Sequence, residues 1–118
     1  MTVTVSSDET IARLNDRCRM GLDRTARVVI TRNCLSSFAD LDRPAEVIIA
    51  QARIMRAFRS CAFSDDSPER DMAWITLDDV RLMIKIDYFD ESLEWGSPDP
   101  ADAAVTRRVM TIMLPEDY

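Results

Sequence analysis

From Val80 to Tyr88 the side chains follow a period of two: Val80, Leu82, Ile84, Ile86 and Tyr88 fall on one face, with Arg81, Lys85 and Asp87 on the other. A period of two belongs to a strand with one buried face and is incompatible with an amphipathic helix, whose apolar positions recur every three to four residues. Met72 to Leu77 is a second apolar, β-prone run, separated from the first by Asp78-Asp79. The pair of runs predicts a β-hairpin. Asp-Asp is a weaker tight turn than Asp-Gly, because the second residue must often take positive φ. A hairpin with one greasy face must be covered, so the rest of the chain has to supply both further strands and a covering layer.

The cover is predicted to be helical. Ser6, with Glu9 three residues on, is a capping-box signature. Asp8 to Met20 then places Ile11, Leu14 and Cys18 on one helical face, and Gly21 stands where a helix ends. Asp42 and Pro44 suit a second helix entry, followed by an apolar stripe of Val47, Ile48, Ile54, Met55 and Phe58 running to about Ser60. Between them Thr25 to Thr31, with Val28, Val29 and Ile30, reads as a strand. Ser97-Pro98-Asp99-Pro100 cannot be helical, because each proline biases its predecessor to extended geometry. Leu93 to Trp95 is a candidate short strand, and Val105 to Leu114 alternates as a closing strand. The predicted class is α+β: two helices packed on one face of a four- to five-stranded, mainly antiparallel sheet.

At 118 residues and 47% hydrophobic content, one domain spanning 1–118 is expected, with residues 1–6 disordered. Met1 to Ser7 has neither a basic nor an apolar region of a secretory signal, and no apolar run approaches the ~20 residues of a membrane span. Cys18, Cys34 and Cys61 are an odd set without a C-x-x-C pair, which argues against a disulfide framework or thiolate metal site and for reduced thiols in the cytoplasm. There is no His, which removes Ser-His-Asp and Cys-His catalysis and the commonest metal ligand. Gly21 and Gly96 are the only glycines, so no Gly-rich phosphate cradle exists.

Charge is sorted along the chain. Residues 1–64 hold ten Arg against seven Asp/Glu, a balance of +3; residues 65–118 hold five Arg/Lys against fourteen Asp/Glu, a balance of −9. An acidic half repels nucleic acid and attracts basic protein surfaces. Its carboxylates crowd at Asp87, Asp90, Glu91, Glu94, Asp99 and Asp102. Such oxygens can bind Mg²⁺ or Ca²⁺, but their spacing matches no calcium loop, and a solvated acidic rim is the preferred reading. The pairs Asp65/Asp66, Asp78/Asp79 and Glu116/Asp117 are read as solvated, not as acid–base pairs. Cys34 would need Arg32 to lower its pKa and is read as an incidental thiol. Arg53, Arg56 and Arg59, with Arg13, Arg17 and Arg19, could hold phosphates, but no aromatics interleave with them; a solvated face or pairing with the acidic half is preferred. Trp74, Tyr88, Phe89, Trp95 and Tyr118 cluster in the acidic half. Core and interface readings are both open for them, with Trp95 and Tyr118 the better interface candidates.

Five pieces of the chain carry a resemblance: Ile11-Ala12-Arg13-Leu14-Asn15-Asp16, Lys85-Ile86-Asp87-Tyr88, Gly96-Ser97-Pro98-Asp99-Pro100-Ala101-Asp102, Thr106-Arg107-Arg108-Val109, and Thr111-Ile112-Met113-Leu114 through Tyr118. They resemble a small bacterial family of domains of unknown function, associated with proteobacterial chromosomes and mobile elements. The resemblance implies no chemistry.

The residues themselves favour a non-enzymatic protein-binding module without cofactor or metal. The expected partner is a protein with a basic surface, met by Asp87, Asp90, Glu91, Glu94, Trp95, Asp99, Asp102 and Tyr118; direct nucleic-acid or membrane binding is not expected. The sharpest version is a mobile-element inhibitor, of anti-CRISPR or anti-restriction type, that blocks the nucleic-acid-binding surface of a host defence complex. The alternatives are a housekeeping adaptor or homodimer, and a small metal-dependent enzyme using Asp87, Asp99 and Asp102.

Overall fold

The computed structural model, which describes residues 6–63 and 65–118, contains the predicted hairpin as one side of its sheet. Strand β2 (Met72–Leu77) and strand β3 (Val80–Phe89) pair antiparallel, Ala73 opposite Ile84 and Leu77 opposite Val80. Asp78 and Asp79 close the turn with φ of 49° and 66°. Two consecutive left-handed residues are what a two-residue hairpin loop needs to match the strand twist, and Asp tolerates this conformation better than most side chains.

Helix α1 (Ser7–Arg19) starts where its cap sits: Ser6 Oγ accepts from the Glu9 amide at 3.2 Å. The Glu9 carboxylate goes to Arg13 at 3.2 Å. At the other end Gly21 takes φ 76°, and the amides of Gly21 and Leu22 donate back to Cys18 and Arg17. That is a Schellman end, and it needs the left-handed conformation that glycine adopts without Cβ strain. Of the stretch 1–6, Ser6 caps this helix, and residues 1–5 lie outside the described residues.

Strand β1 (Arg27–Ile30) follows, and then a helix that the sequence reading missed. Thr31 Oγ1 accepts from the Cys34 amide at 3.2 Å and starts α2 (Arg32–Ser36), so among the described residues there are three α-helices, not two, and Cys34 is not in a loop. Helix α3 (Pro44–Arg59) has proline in its first turn as predicted. Its buried positions are Ala50, Ile54 and Phe58, at spacings of four. Ile48 is 65% exposed. It stands off the inward face because Ala50, not Ile48, continues the Ile54–Phe58 row.

Strand β4 (Arg107–Met113) is shorter than the predicted Val105–Leu114, since Ala103–Val105 forms a 3₁₀ turn capped by Asp102 and Pro115–Asp117 forms another. Leu93 to Trp95 is not a strand. Asp90 and Trp95 close a tight loop there, and an isolated bridge joins Phe89 to Gly96. The sheet order is β1-β4-β3-β2. The β2–β3 and β3–β4 pairs are antiparallel, whereas β1 runs parallel to β4, Val28 beside Met110 and Ile30 beside Ile112.

One hydrophobic cluster joins Cys18 of α1, Cys34 of α2, and Ile54 and Phe58 of α3 to Ala73, Leu82, Ile84, Ile86, Met110 and Ile112. The strand members lie in register on one sheet face. The other face is not simply polar: Met83 and Met113, opposite one another, are each 3% exposed. Among the described residues no helix is long and apolar enough to cross a membrane.

Candidate functional site

Five of the six acidic residues singled out above, Asp90, Glu91, Glu94, Asp99 and Asp102, lie on one loop, 90–106, that links β3 to β4, and Asp87 lies on β3. Its entry is stitched by backbone hydrogen bonds, Asp90 N–H to Trp95 O at 2.8 Å and Ser97 N–H to Tyr88 O at 3.1 Å. Asp90 Oδ1 accepts from Ser92 Oγ at 2.7 Å and from the amides of Glu94 and Trp95 at 3.3 and 3.5 Å. The Ser92 hydroxyl, aided by these amides, holds the Asp90 carboxyl below its ordinary pKa. Asp99 Oδ1 accepts from the Ala101 amide at 3.1 Å, and Asp102 Oδ1 from the Ala104 amide at 2.9 Å. These three carboxylates are therefore turn caps.

The remaining members differ. Asp87 leaves the loop and pairs with Lys85 at 3.0 Å on the sheet face opposite the helices. Glu91 lies 4.0 Å from Arg107. Glu94 and Trp95 are exposed, Trp95 at 72%. Leu93, between Asp90 and Glu94, holds a left-handed φ of 62°. Tyr118 is 75% exposed, and its ring centre lies 5.9 Å from the ammonium of Lys85, the partner of Asp87. Trp74 is 46% exposed, so the core reading fails for it, while Tyr88 is part-buried.

The alternative sites do not assemble. Asp87 is on the sheet face, and Asp99 and Asp102 are each occupied as caps. The cleft at this loop is lined by Asp90, Glu91, Ser92, Pro98 and Val105, not by Asp87, Asp99 and Asp102. Among the described residues no three Cys, Asp or Glu side chains are grouped to hold a metal ion. Cys34 is fully buried, and burial with the nearby Asp117 charge pushes its thiol up to about 11, the opposite of a nucleophile's shift. The arginine strip is dispersed as well. Arg53 pairs with Asp78 at 2.6 Å, and Arg13 with Glu9. Arg19 is 7% exposed and donates to the carbonyls of Phe58 and Arg59, capping the end of α3.

A constellation that sequence reading missed lies beneath the loop. Arg108, 2% exposed, donates Nε to Asn15 Oδ1 at 2.7 Å and Nη2 to Pro100 O at 2.7 Å, with its guanidinium 5.0 Å over the Tyr88 ring. Asn15 Nδ2 donates to Tyr88 Oη at 2.8 Å and to Glu69 O at 3.0 Å; Tyr88 Oη donates onward to Glu69 Oε2 at 2.9 Å. Thr106 Oγ1 bonds Asp99 O at 2.8 Å and lies 2.7 Å from Ser97 Oγ. Four of the five pieces quoted for the resemblance meet here, through Asn15, Tyr88, Pro100 and Arg108. The signal was present in β4, where Arg108 shares the inward face with Met110 and Ile112 and so had to be buried with partners.

The chemistry of this network is that of a clamp. Every polar atom of Asn15 is engaged, and burial raises the Tyr88 hydroxyl far above its ordinary pKa, so it donates and does not serve as a base. Arg108 thereby fixes the loop carrying Trp95 to α1 and β3.

No curated protein and no solved structure matches this chain. A family model described as "Protein of unknown function (DUF3768)" matches residues 36–117, a span that holds Tyr88, the 90–106 loop and Arg108 and begins after Asn15. The chain belongs to that family.

Proposed function

We propose that the protein is a non-enzymatic binding module that docks its 90–106 loop on a basic protein surface, with Trp95 as the apolar anchor. The observation that carries this reading is Trp95 held 72% exposed on a loop closed by Asp90 and clamped by Arg108. A large aromatic ring presented on an ordered loop loses little conformational entropy on binding, and such rings dominate interface energetics. Asp90, Glu91, Glu94, Asp99 and Asp102 give the same loop its negative charge, with Asp87 on the adjoining strand, and such a field speeds encounter with a cationic surface. The partner of this chemistry is a basic, nucleic-acid-handling protein, and a mobile-element inhibitor of a host defence complex is the sharpest form of the reading.

The test is affinity capture from the host with wild type, Trp95→Ala and Glu94→Lys, followed by rapid kinetics on the captured partner. Glu94 is the charge to reverse, because Asp99 also caps the loop and its replacement would alter the fold. Glu94→Lys is expected to slow association several-fold and flatten its salt dependence, while Trp95→Ala speeds dissociation. A partner that binds both variants with unchanged rates removes the loop as the interface.

A further inference from the structure

Among the described residues, strand β1 is an edge of the sheet with no further strand paired to it. It borders the sheet with β4 as its neighbour, and the Thr31 amide donates to Ile112 O at 2.9 Å. By strand alternation Val29 and Thr31 turn their backbone groups toward β4, leaving those of Val28 and Ile30 directed outward. Val28 and Val29 are 44% and 47% exposed on opposite faces. The strand has no Lys, Pro or bulge of the kind that blunts an edge. Beside it Val28 and Ile30 form, with Leu35, Gln51 and Met55, an apolar cleft of about 340 Å³. Ile48, one turn along α3 from Gln51 and 65% exposed, extends that apolar surface.

We propose that β1 pairs antiparallel with β1 of a second copy of this chain, about a two-fold axis at Val29, giving one eight-stranded sheet. In this register Val29 faces its own counterpart, Val28 faces Ile30 of the second copy, and Arg27 faces Thr31 of the second copy. The outward backbone groups of Val28 and Ile30 then fall opposite each other as a hydrogen-bonded pair, and the two apolar clefts adjoin on one face. Charge selects this register. Asp117 accepts from Thr31 Oγ1 at 2.7 Å and from Asn33 Nδ2 at 2.9 Å, and no cation pairs with it among the described residues. Arg27 is exposed and likewise has no ion-pair partner among the described residues. Setting Arg27 opposite Thr31 brings it to Asp117 of the second copy, twice by symmetry. Centring on Val28 would set Arg27 against Val29 and leave both charges unmatched. A four-residue edge with a flanking cleft is small beside the ~800 Å² per partner of a standard interface, so dissociation on the order of 10 µM is expected.

Sedimentation from about 1 to 500 µM tests the dimer: the mass should rise from 13.5 kDa toward twice that value. Register is tested by mild oxidation of Val29→Cys and Val28→Cys, each in a Cys61→Ser background. Opposed non-hydrogen-bonded residues lie about 4.5 Å apart between Cα atoms, within disulfide range, whereas two copies of residue 28 would lie roughly 8 Å apart. Val29→Cys should cross-link and Val28→Cys should not. Arg27→Glu should weaken the dimer about 10-fold, and Val29→Lys should give a monomer with an unchanged far-UV spectrum. A constant 13.5 kDa mass, equal cross-linking of the two cysteine variants, or indifference to Arg27→Glu each overturns the proposal. The proposal is independent of the Trp95 loop.

Discussion

Arg108 Nε donates to Asn15 Oδ1 at 2.7 Å, joining the last strand to the first helix across 93 positions of sequence. Arg108 touches no carboxylate directly; its charge is met by an amide oxygen, a carbonyl and an aromatic face. Burial pulls its pKa below the ordinary arginine value. Replacing it with Leu strands Asn15 Oδ1 and Pro100 O without donors. The expected loss is about 2–4 kcal/mol, with faster amide exchange across residues 97–106, read by urea denaturation and hydrogen exchange. Arg108→Lys should recover only part, because an ammonium cannot reproduce the guanidinium fork.

Asp16 makes a pH dependence testable. Burial raises its carboxyl pKa, but bidentate bonds from Arg70 at 3.0 and 2.7 Å and one from Arg19 at 3.0 Å outweigh this and hold it below its ordinary value. A depressed folded-state pKa gives stability that is present above the unfolded value near ~4 and is lost as pH falls through the folded value. Asp16→Asn should therefore lower the melting temperature at pH 7, and the gap to wild type should close as pH falls through and below the ordinary aspartate range. A gap that is constant with pH would show that the carboxylate's charge is not what stabilises this corner.

The Asp78-Asp79 turn leaves room for a gain. Asp78 pairs with Arg53 at 2.6 Å, whereas Asp79 holds φ 66° and makes no side-chain hydrogen bond among the described residues. Asp79→Gly should raise stability by about 0.5–1 kcal/mol in denaturant titrations, since glycine enters the left-handed region without strain.

Ile84 is fully buried, between Ala73 on β2 and Ile112 on β4. Ile84→Asp places an unpaired carboxylate in the main core, at a cost of several kcal/mol, comparable with the whole stability of a domain this size. The cooperative thermal transition should vanish. A soluble, cooperatively melting variant would mean that this face is not the core.

Local pattern by itself determined the hairpin, the two longer helices and their end signals. Each rests on forces acting within a few residues: the two-residue period of Val80–Tyr88, the Ser6 cap, the left-handed Gly21, the proline at position 44. The α2 helix escaped because five residues are too few to show a period, and only the Thr31 hydroxyl marks its start. The acidic loop was likewise legible as composition, but not the division of labour within it, since which carboxylate caps an amide depends on the turn's path. What only the tertiary structure decided is long-range. The parallel seating of β1 on β4, the exposure of Ile48, the buried Arg108–Asn15–Tyr88–Glu69 network and the bare β1 edge all join or separate residues far apart in sequence. Local propensity carries no information about such pairings, because their free energy comes from burial and hydrogen bonding that exist only once the chain has closed.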